Sequence, residues 1–233
     1  MKIVVFTGAG VSADSGICTF RGGNGLWDSY RIEDICTADA MLHNREEVIK
    51  FYNIRRKELL SVEPNAAHVA ISKLEEHFRV QVVTQNIDDL HERAGSSDIT
   101  HLHGELRKLR STKDEHLIYP IEGWQQDPTA HSKGDGALLR PFVVFFGEAV
   151  PMFEQAAEIV STADLFIIVG TSLAVYPAAS LVNYVRPWVQ IYVVDPEVPN
   201  VSVPRNPIEY IQMKAAQGMP LLADKLIKEY AKK

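Results

Sequence analysis

Short runs of apolar, mostly β-branched residues recur along the chain at Lys2–Thr7, 80–84, Leu165–Val169 and Gln190–Val194. Stretches with helical spacing of apolar positions separate them, at 45–60, 66–77 and 152–161. Runs that are apolar at consecutive positions suit strands covered on both faces. Alternation of such strands with helices predicts an α/β fold built on a doubly wound parallel sheet. Sheets of that kind bind ligands in the crevice beyond the carboxyl ends of their strands. Polar or small clusters fall at those ends: Gly8-Ala9-Gly10, Gln85-Asn86-Ile87-Asp88 and Gly170-Thr171-Ser172.

Two stretches interrupt the alternation. Residues 18–60 are long and mixed, with the glycine-rich run Phe20-Arg21-Gly22-Gly23-Asn24-Gly25. Residues 109–139 are polar and turn-rich, with little periodicity. Together they predict a small domain made by two insertions into a larger one formed by 1–17, 61–108 and 140–233, all within a single 233-residue unit.

Composition narrows the function. A net charge of −6 gives no general footprint for nucleic acid. No apolar run approaches a membrane span, and the N-terminus enters a strand without a leader, so a soluble, cytoplasmic, monomeric protein is expected. The two cysteines, Cys18 and Cys36, cannot supply a tetrahedral thiolate zinc site.

The first strand empties into Thr7-Gly8-Ala9-Gly10-Val11-Ser12-Ala13-Asp14-Ser15-Gly16. Strand, tight turn and helix start let backbone N–H groups face a pyrophosphate, although the glycine spacing is not that of a dehydrogenase. Among the eight histidines His103 stands out, because Gly104 follows it and a strand-like segment precedes it. Histidine exchanges protons near neutral pH. His101 is expected to face the other way and reads as a structural histidine. Asn86 and Asp88 supply groups that can hold a ribose and a carboxamide, but Asn and Asp also cap helices, and Asp89 fits that role as well as Asp88 does. Tyr52 and Arg55 share a helix face, either as an anion-binding pair or as a packed tyrosine beside a solvated arginine. Residues Pro141, Phe142, Val143, Val144, Phe145, Phe146, Gly147 and Glu148 form a buried strand or an edge that pairs with an extended peptide, with Gly147 permitting a close approach.

Taken in order, GAGVSADSGI, TFRG, TQNIDDLHERAG, LHGEL, RPFVVFFGE and VGTSL, followed by Lys214-Ala215 and Met219-Pro220, resemble the sirtuin family of NAD-dependent protein-lysine deacylases. The resemblance runs through most of the chain. It implies a Rossmann-like large domain and NAD as co-substrate. By matching position, Gly8, Ala9, Gly10, Ser12, Phe20, Arg21, Gln85, Asn86, Asp88, Gly170, Thr171, Ser172, Lys214 and Ala215 would bind NAD. His103 would act as the general base, with Asn86 and Asp88 beside it in catalysis. Val143, Val144, Phe145, Phe146, Gly147 and Glu148 would pair with an acyl-lysine protein or peptide. The Phe-Tyr-x-x-Arg pattern of Tyr52 and Arg55 is similar to the branch that removes succinyl, malonyl and glutaryl groups, with Cys36 where that branch has a pocket-widening alanine.

The chain departs from the family in three places. Most members carry two Cys-x-x-Cys pairs that bind a structural zinc, whereas no cysteine lies between His103 and Arg140 here, and Ser111 stands near the first position. No zinc is expected, and Leu117, Ile118, Tyr119, Ile121 and Trp124 are expected to hold the module as an apolar cluster. Cys18-Thr19 replaces the usual Pro-Asp before Phe20, removing a φ lock and a carboxylate. Phe145 replaces a common tryptophan. The alternatives to a deacylase are an ADP-ribosyltransferase using the same pocket, a non-catalytic nucleotide-binding module, and, least favoured by the glycine spacing, a dehydrogenase.

Overall fold

The computed structural model describes residues 1–18, 30–199 and 201–231. Strands and helices are numbered in chain order. Strand β1 (Lys2–Thr7) is buried from Ile3 onward. It lies between β2 (Arg79–Thr84) and β7 (Leu165–Val169), parallel to both. Outside β2 sits β3 (Ile99–His101), and outside β7 sit β8 (Gln190–Val194) and β9 (Ile208–Ile211). The resulting order, β3-β2-β1-β7-β8-β9, reverses direction between β1 and β7. Crossovers leave to opposite faces at that point, so a crevice opens at the carboxyl ends of the two strands.

Consecutive residues of β1 point to opposite faces, which explains why the run is apolar throughout. Ile3 and Val5 pack with Ile71 of α4 (Ala66–Lys73) and with Met219 and Leu226 of α7 (Ala215–Tyr230). Val4 and Phe6 pack on the other side with Ala156 and Val160 of α6 (Phe153–Ser161). Each large apolar side chain sealed this way contributes about 1.5–3 kcal/mol. A reciprocal cap starts α4: Asn65 Oδ1 accepts from the Ala67 N–H at 2.9 Å, and the Asn65 N–H donates to His68 Nδ1 at 3.3 Å. The helical pattern at 66–77 resolves into α4 followed by a 3-10 turn at Leu74–Glu76.

A second sheet is antiparallel, with β4 (Gly104–Ser111) between β5 (Ile118–Pro120) and β6 (Leu139–Val143). It extends beyond both ends of the expected 109–139 insertion. Helices α1 (Ile32–Ile35), α2 (Ala38–His43) and α3 (Arg45–Leu59) form a third apolar cluster with Leu106, Val143 and Phe145. Arg56 of α3 is fully buried and joins the helix to this sheet. It donates to Leu106 O at 2.8 Å, Asn53 Oδ1 at 2.8 Å and Gln126 Oε1 at 3.4 Å.

The expected apolar cluster of the small module needs correction. Leu109, Ile121 and Leu139 form it, with Tyr119 and Ala130 packed against them. Ile118 and Trp124 are exposed. The cause is strand alternation: β5 is an edge of only three residues, so turning Tyr119 inward turns Ile118 and Pro120 outward. Among the described residues no helix is long and apolar enough to cross a membrane.

Candidate active site

At the β1/β7 reversal the two strand-end loops touch backbone to backbone. Gly10 N donates to Gly170 O at 2.8 Å, and Gly8 N donates to Val169 O at 3.1 Å. A Cβ on Gly10 would stand 2.7 Å from Gly170 Cα, and one on Gly170, whose φ is 60°, would stand 2.3 Å from Val11 N. The glycine spacing thus has a physical explanation. Gly8, Gly10 and, from the other strand, Gly170 permit the close approach. Gly16, at φ 97°, only closes a 3-10 turn, and a Cβ there would meet nothing nearer than the Val62 side chain at 3.7 Å. The paired loops leave a small-residue cradle that suits a dinucleotide phosphate.

The cradle opens into a cleft of about 940 Å³. Its lining brings together Gly8, Ala9, Gly10, Ser12, Gln85, Asn86, Asp88, His103, Gly170, Thr171, Ser172, Lys214 and Ala215 with Tyr52, Arg55, Val143, Val144, Phe145, Phe146, Gly147 and Glu148. Phe20 and Arg21 lie outside the described residues.

A buried polar network underlies the cradle. Because His68 Nδ1 accepts from Asn65, its Nε2 carries the proton and donates to Ser12 Oγ at 3.3 Å. Ser12 Oγ also accepts from Asn86 Nδ2 at 3.1 Å, and its own proton goes to Asp88 Oδ2 at 3.0 Å. Burial holds the Asp88 carboxyl above its usual range and pushes His68 down to about 4. The capping role falls to Asp88, whose Oδ1 accepts from Leu90 N at the start of α5 (Leu90–Arg93), while Asp89 makes no capping bond. Nothing in the sequence singles out His68 or the neighbouring His91. Only their ring contact at 4.9 Å and their links to Ser12 and Thr7 reveal them, and all of these are non-local.

Two histidines seize successive carbonyls of the Gln85–Asn86 turn. His103 Nδ1 donates to Gln85 O at 2.9 Å, which leaves the lone pair on Nε2. Burial lowers its pKa, so the ring is neutral at physiological pH. His101 Nδ1 donates to Asn86 O at 2.9 Å, and Nε2 donates to Glu92 Oε1 at 2.6 Å. Burial opposes the charged form of His101, but Glu92 and the Asn86 carbonyl more than offset it and raise its pKa. The expectation that His101 faces the other way needs correction: residues two apart in a strand share a face, and Leu102 and His103 lie in a turn after β3. It is Glu92, bonded to His101 alone, that gives the two rings different environments.

Tyr52 and Arg55 both reach the cleft. Arg55 is not solvated, since its side chain is 10% exposed. The Tyr52 hydroxyl lies 3.7 Å from Cys36 Sγ, and burial lifts the thiol to about 11, so it stays protonated and unreactive. After β6 the amides of Val144, Phe145 and Phe146 are already donated, to His103 O, Glu148 Oε2 and Cys36 O. Those amides are therefore not open to an extended peptide, and among the carbonyls Val143 O already accepts from Arg140 Nη2 and Phe145 O from Glu148 N. Glu148 is gripped by Arg140 through two bonds of 2.6 and 3.1 Å, which shapes the turn. Gly147 has φ 88°, and a Cβ added there would meet no atom of this chain within 4 Å, so within the chain it is the turn's backbone angle that calls for glycine.

A zinc ion does not fit the small module. In place of two Cys-x-x-Cys steps the chain has Ser111-x-x-Asp114 and Ser132-x-x-Asp135. Ser111 Oγ accepts from Lys113 N and Asp114 N at 3.0 and 3.2 Å and donates to Asp135 Oδ2 at 2.6 Å. Ser132 Oγ accepts from Gly134 N and Asp135 N at 3.3 and 3.4 Å and meets Tyr119 Oη at 2.9 Å. Neutral hydroxyls are poor zinc ligands, and these oxygens are already satisfied by neighbouring amides, Asp135 and Tyr119.

A profile of the Sir2 family matches residues 8–177. The chain is 47% identical over 230 residues to an NAD-dependent protein deacylase of Bacteroides thetaiotaomicron, covering 97% of this chain and 98% of that one. It is 46% identical to an NAD-dependent protein deacylase of Helicobacter pylori, covering 97% of each. Among solved structures, a Sir2 homologue in complex with ADP-ribose superposes with a TM-score of 0.91 at 38% identity, covering 100% of this chain and 94% of that one. A Sir2 homologue–NAD complex gives 0.86 at 38% identity, covering 97% and 90%. Glycine cradle, histidine pair and sheet order thus coincide with full-length likeness in sequence and backbone, and the chain belongs to the Sir2 family.

Proposed function

We propose that this chain is an NAD-dependent protein-lysine deacylase that favours acidic acyl groups such as succinyl and malonyl and accepts acetyl. The observation that carries the reading is one cleft shared by the glycine cradle, the neutral His103 and the Tyr52–Arg55 pair. When bound, NAD supplies the ribose carbon that accepts the acyl carbonyl oxygen as nicotinamide leaves. Gly8, Ala9, Gly10, Gly170, Thr171 and Ser172 hold the dinucleotide, with Lys214 and Ala215 at its border. Ser12 fixes Asn86 and Asp88, which orient the nicotinamide ribose and carboxamide. His103 Nε2 takes the proton from a ribose hydroxyl, whose oxygen attacks the acyl carbon; the lysine amine leaves with a proton, and addition of one water releases O-acyl-ADP-ribose. The neutral ring with its lone pair on Nε2 suits a base working near pH 7.

Arg55 offers a charge-assisted partner to a carboxylate-tipped acyl chain, while Tyr52 and the small Cys36 leave room for it. We also take the small module to fold without zinc, because its serine and aspartate oxygens close their own hydrogen bonds. The test is deacylation of one peptide bearing acetyl-, succinyl- or glutaryl-lysine, with NAD, with and without chelator, for wild type and Arg55→Met. Desuccinylation that collapses in Arg55→Met and ignores chelator is expected. Acetyl preference with an indifferent variant refutes the acidic pocket, and chelator-sensitive activity refutes the zinc-free module. ADP-ribose transfer without acyl-lysine consumption replaces the deacylase reading itself.

A further inference from the structure

Tyr52, Arg55 and Glu58 follow one another at intervals of three along α3, so they share a face. All of them line the cleft. Glu58 Oε2 lies 3.0 Å from Arg55 Nη1. The two partners differ in setting: the arginine side chain is 10% exposed, whereas the glutamate is 44% exposed. Arg55 is therefore held in place, while Glu58 approaches it from the solvent side. Among the described residues beside them, burial keeps the Cys36 thiol and the Tyr52 phenol in their neutral forms.

We propose that Glu58 is a selectivity residue, a resident carboxylate that engages Arg55 before substrate arrives and restrains the preference for acidic acyl chains. The inference rests on the acidic-acyl reading of Arg55. An incoming succinyl or malonyl tip brings a second carboxylate to a guanidinium already engaged on Nη1. It must displace Glu58 or bind beside it against like-charge repulsion. An acetyl group brings no charge and meets neither obstacle. Because a half-exposed ion pair three residues apart on a helix is weak, Glu58 yields to substrate instead of blocking it. The consequence is a broadened acyl range.

The test compares kcat/KM for succinyl- and acetyl-lysine forms of one peptide in wild type, Glu58→Gln, Glu58→Ala and Arg55→Met. Glu58→Gln keeps the side chain's size and removes its charge. The succinyl-to-acetyl ratio is expected to rise about two- to fivefold, carried by a lower KM for the succinyl peptide. The gain should shrink at 1 M salt, which screens charge but leaves helix geometry intact. Glu58→Ala should move the ratio in the same direction. A ratio that falls in both variants would show that Glu58 orients Arg55 for substrate, and an unchanged ratio would show that it does nothing to selectivity; either overturns the inference while Arg55→Met still abolishes desuccinylation. Should Arg55→Met leave desuccinylation intact, the acidic-acyl reading fails first and the role of Glu58 falls with it.

Discussion

The parallel and antiparallel sheets solve the same problem, holding a loop-rich region still, by different chemistry. Around β1 and β7 the chain seals both faces with aliphatic side chains and lets glycine backbones touch. Away from the helices, the small sheet rests on a cluster of three buried residues, Leu109, Ile121 and Leu139, and supplements them with hydroxyl and carboxylate bonds around Ser111 and Ser132. Apolar burial is non-directional and tolerates modest change, whereas a compact polar knot depends on every partner being present. The two regions should therefore fail under different insults.

The largest effect is expected where backbones meet. Gly170→Ala places a Cβ 2.3 Å from Val11 N at φ 60°, so both overlap and backbone strain apply. A loss of about 3 kcal/mol or more is expected in urea unfolding, together with loss of NAD binding. Gly147→Ala is the matched control, because its φ of 88° meets open space. Strain alone sets its loss at about 1–2 kcal/mol. Equal losses in the two variants would deny that the loop contact at the sheet reversal matters.

Acid should separate the regions next. His68 is driven down to about 4 by burial, so between its ordinary value and 4 the unfolded chain binds the extra proton. Its contribution is whole above pH 6.5 and is lost as pH falls toward 4, by about 3 kcal/mol on this residue alone. His91, also lowered by burial, adds to the slope in the same sense. In the small sheet the Ser111 hydroxyl and the Ala137 N–H hold Asp135 down at about 2, so its contribution persists until pH drops below the ordinary aspartate range. Urea midpoints from pH 7 to 4 should fall steeply in wild type and less steeply in His68→Gln, which keeps a donor to Ser12 but does not titrate. A parallel slope in the variant would remove His68 from the account.

How far the sequence reveals each region follows from the same contrast. Three of the four apolar runs match their strands residue for residue, and the other begins one residue later than β2, because burial on both faces writes itself as consecutive apolar letters. The cleft residues at strand ends and the Tyr52–Arg55 face are legible from local spacing. Helical phase is enough to turn Arg55 toward the cleft. It does not reveal that Arg56 is fully buried against Leu106 O, since two of the three partners of Arg56 lie on β4 and at Gln126. The Ser12–His68–Asp88 network joins three separate segments and leaves no local signature. In the small module the apolar letters mislead, since strand direction on an edge strand decides which side chains turn inward.

Breaking the polar knot should have an intermediate effect. Ser111→Ala removes a fully buried hydroxyl with three hydrogen bonds, leaving an Asp135 oxygen and two amides without it. A loss of about 2 kcal/mol in thermal or urea unfolding is expected, with chelator changing neither wild type nor variant. The sharper version installs thiolates: Ser111→Cys, Asp114→Cys, Ser132→Cys and Asp135→Cys together should bind zinc and become chelator-sensitive, because two Cys-x-x-Cys pairs have the zinc spacing. Wild-type stability that falls with chelator would overturn the zinc-free reading.

The smallest expected effect, at Ile118, tests the corrected core of the small sheet. Ile121 is 9% exposed and packs with Leu109 and Leu139, whereas Ile118 is 40% exposed on the outward side of β5. Ile121→Ala should therefore lose about 2 kcal/mol through lost burial and a residual cavity. Ile118→Ala should stay within about 0.5 kcal/mol, as surface substitutions do. The two isoleucines flank the same short edge strand, so chain position, composition and β-propensity are nearly matched between them. Only the direction each side chain takes differs. A similar loss at both sites would mean that the module buries Ile118 after all and is held by an apolar cluster; a large difference assigns the work to the inward face and the Ser–Asp knot beside it.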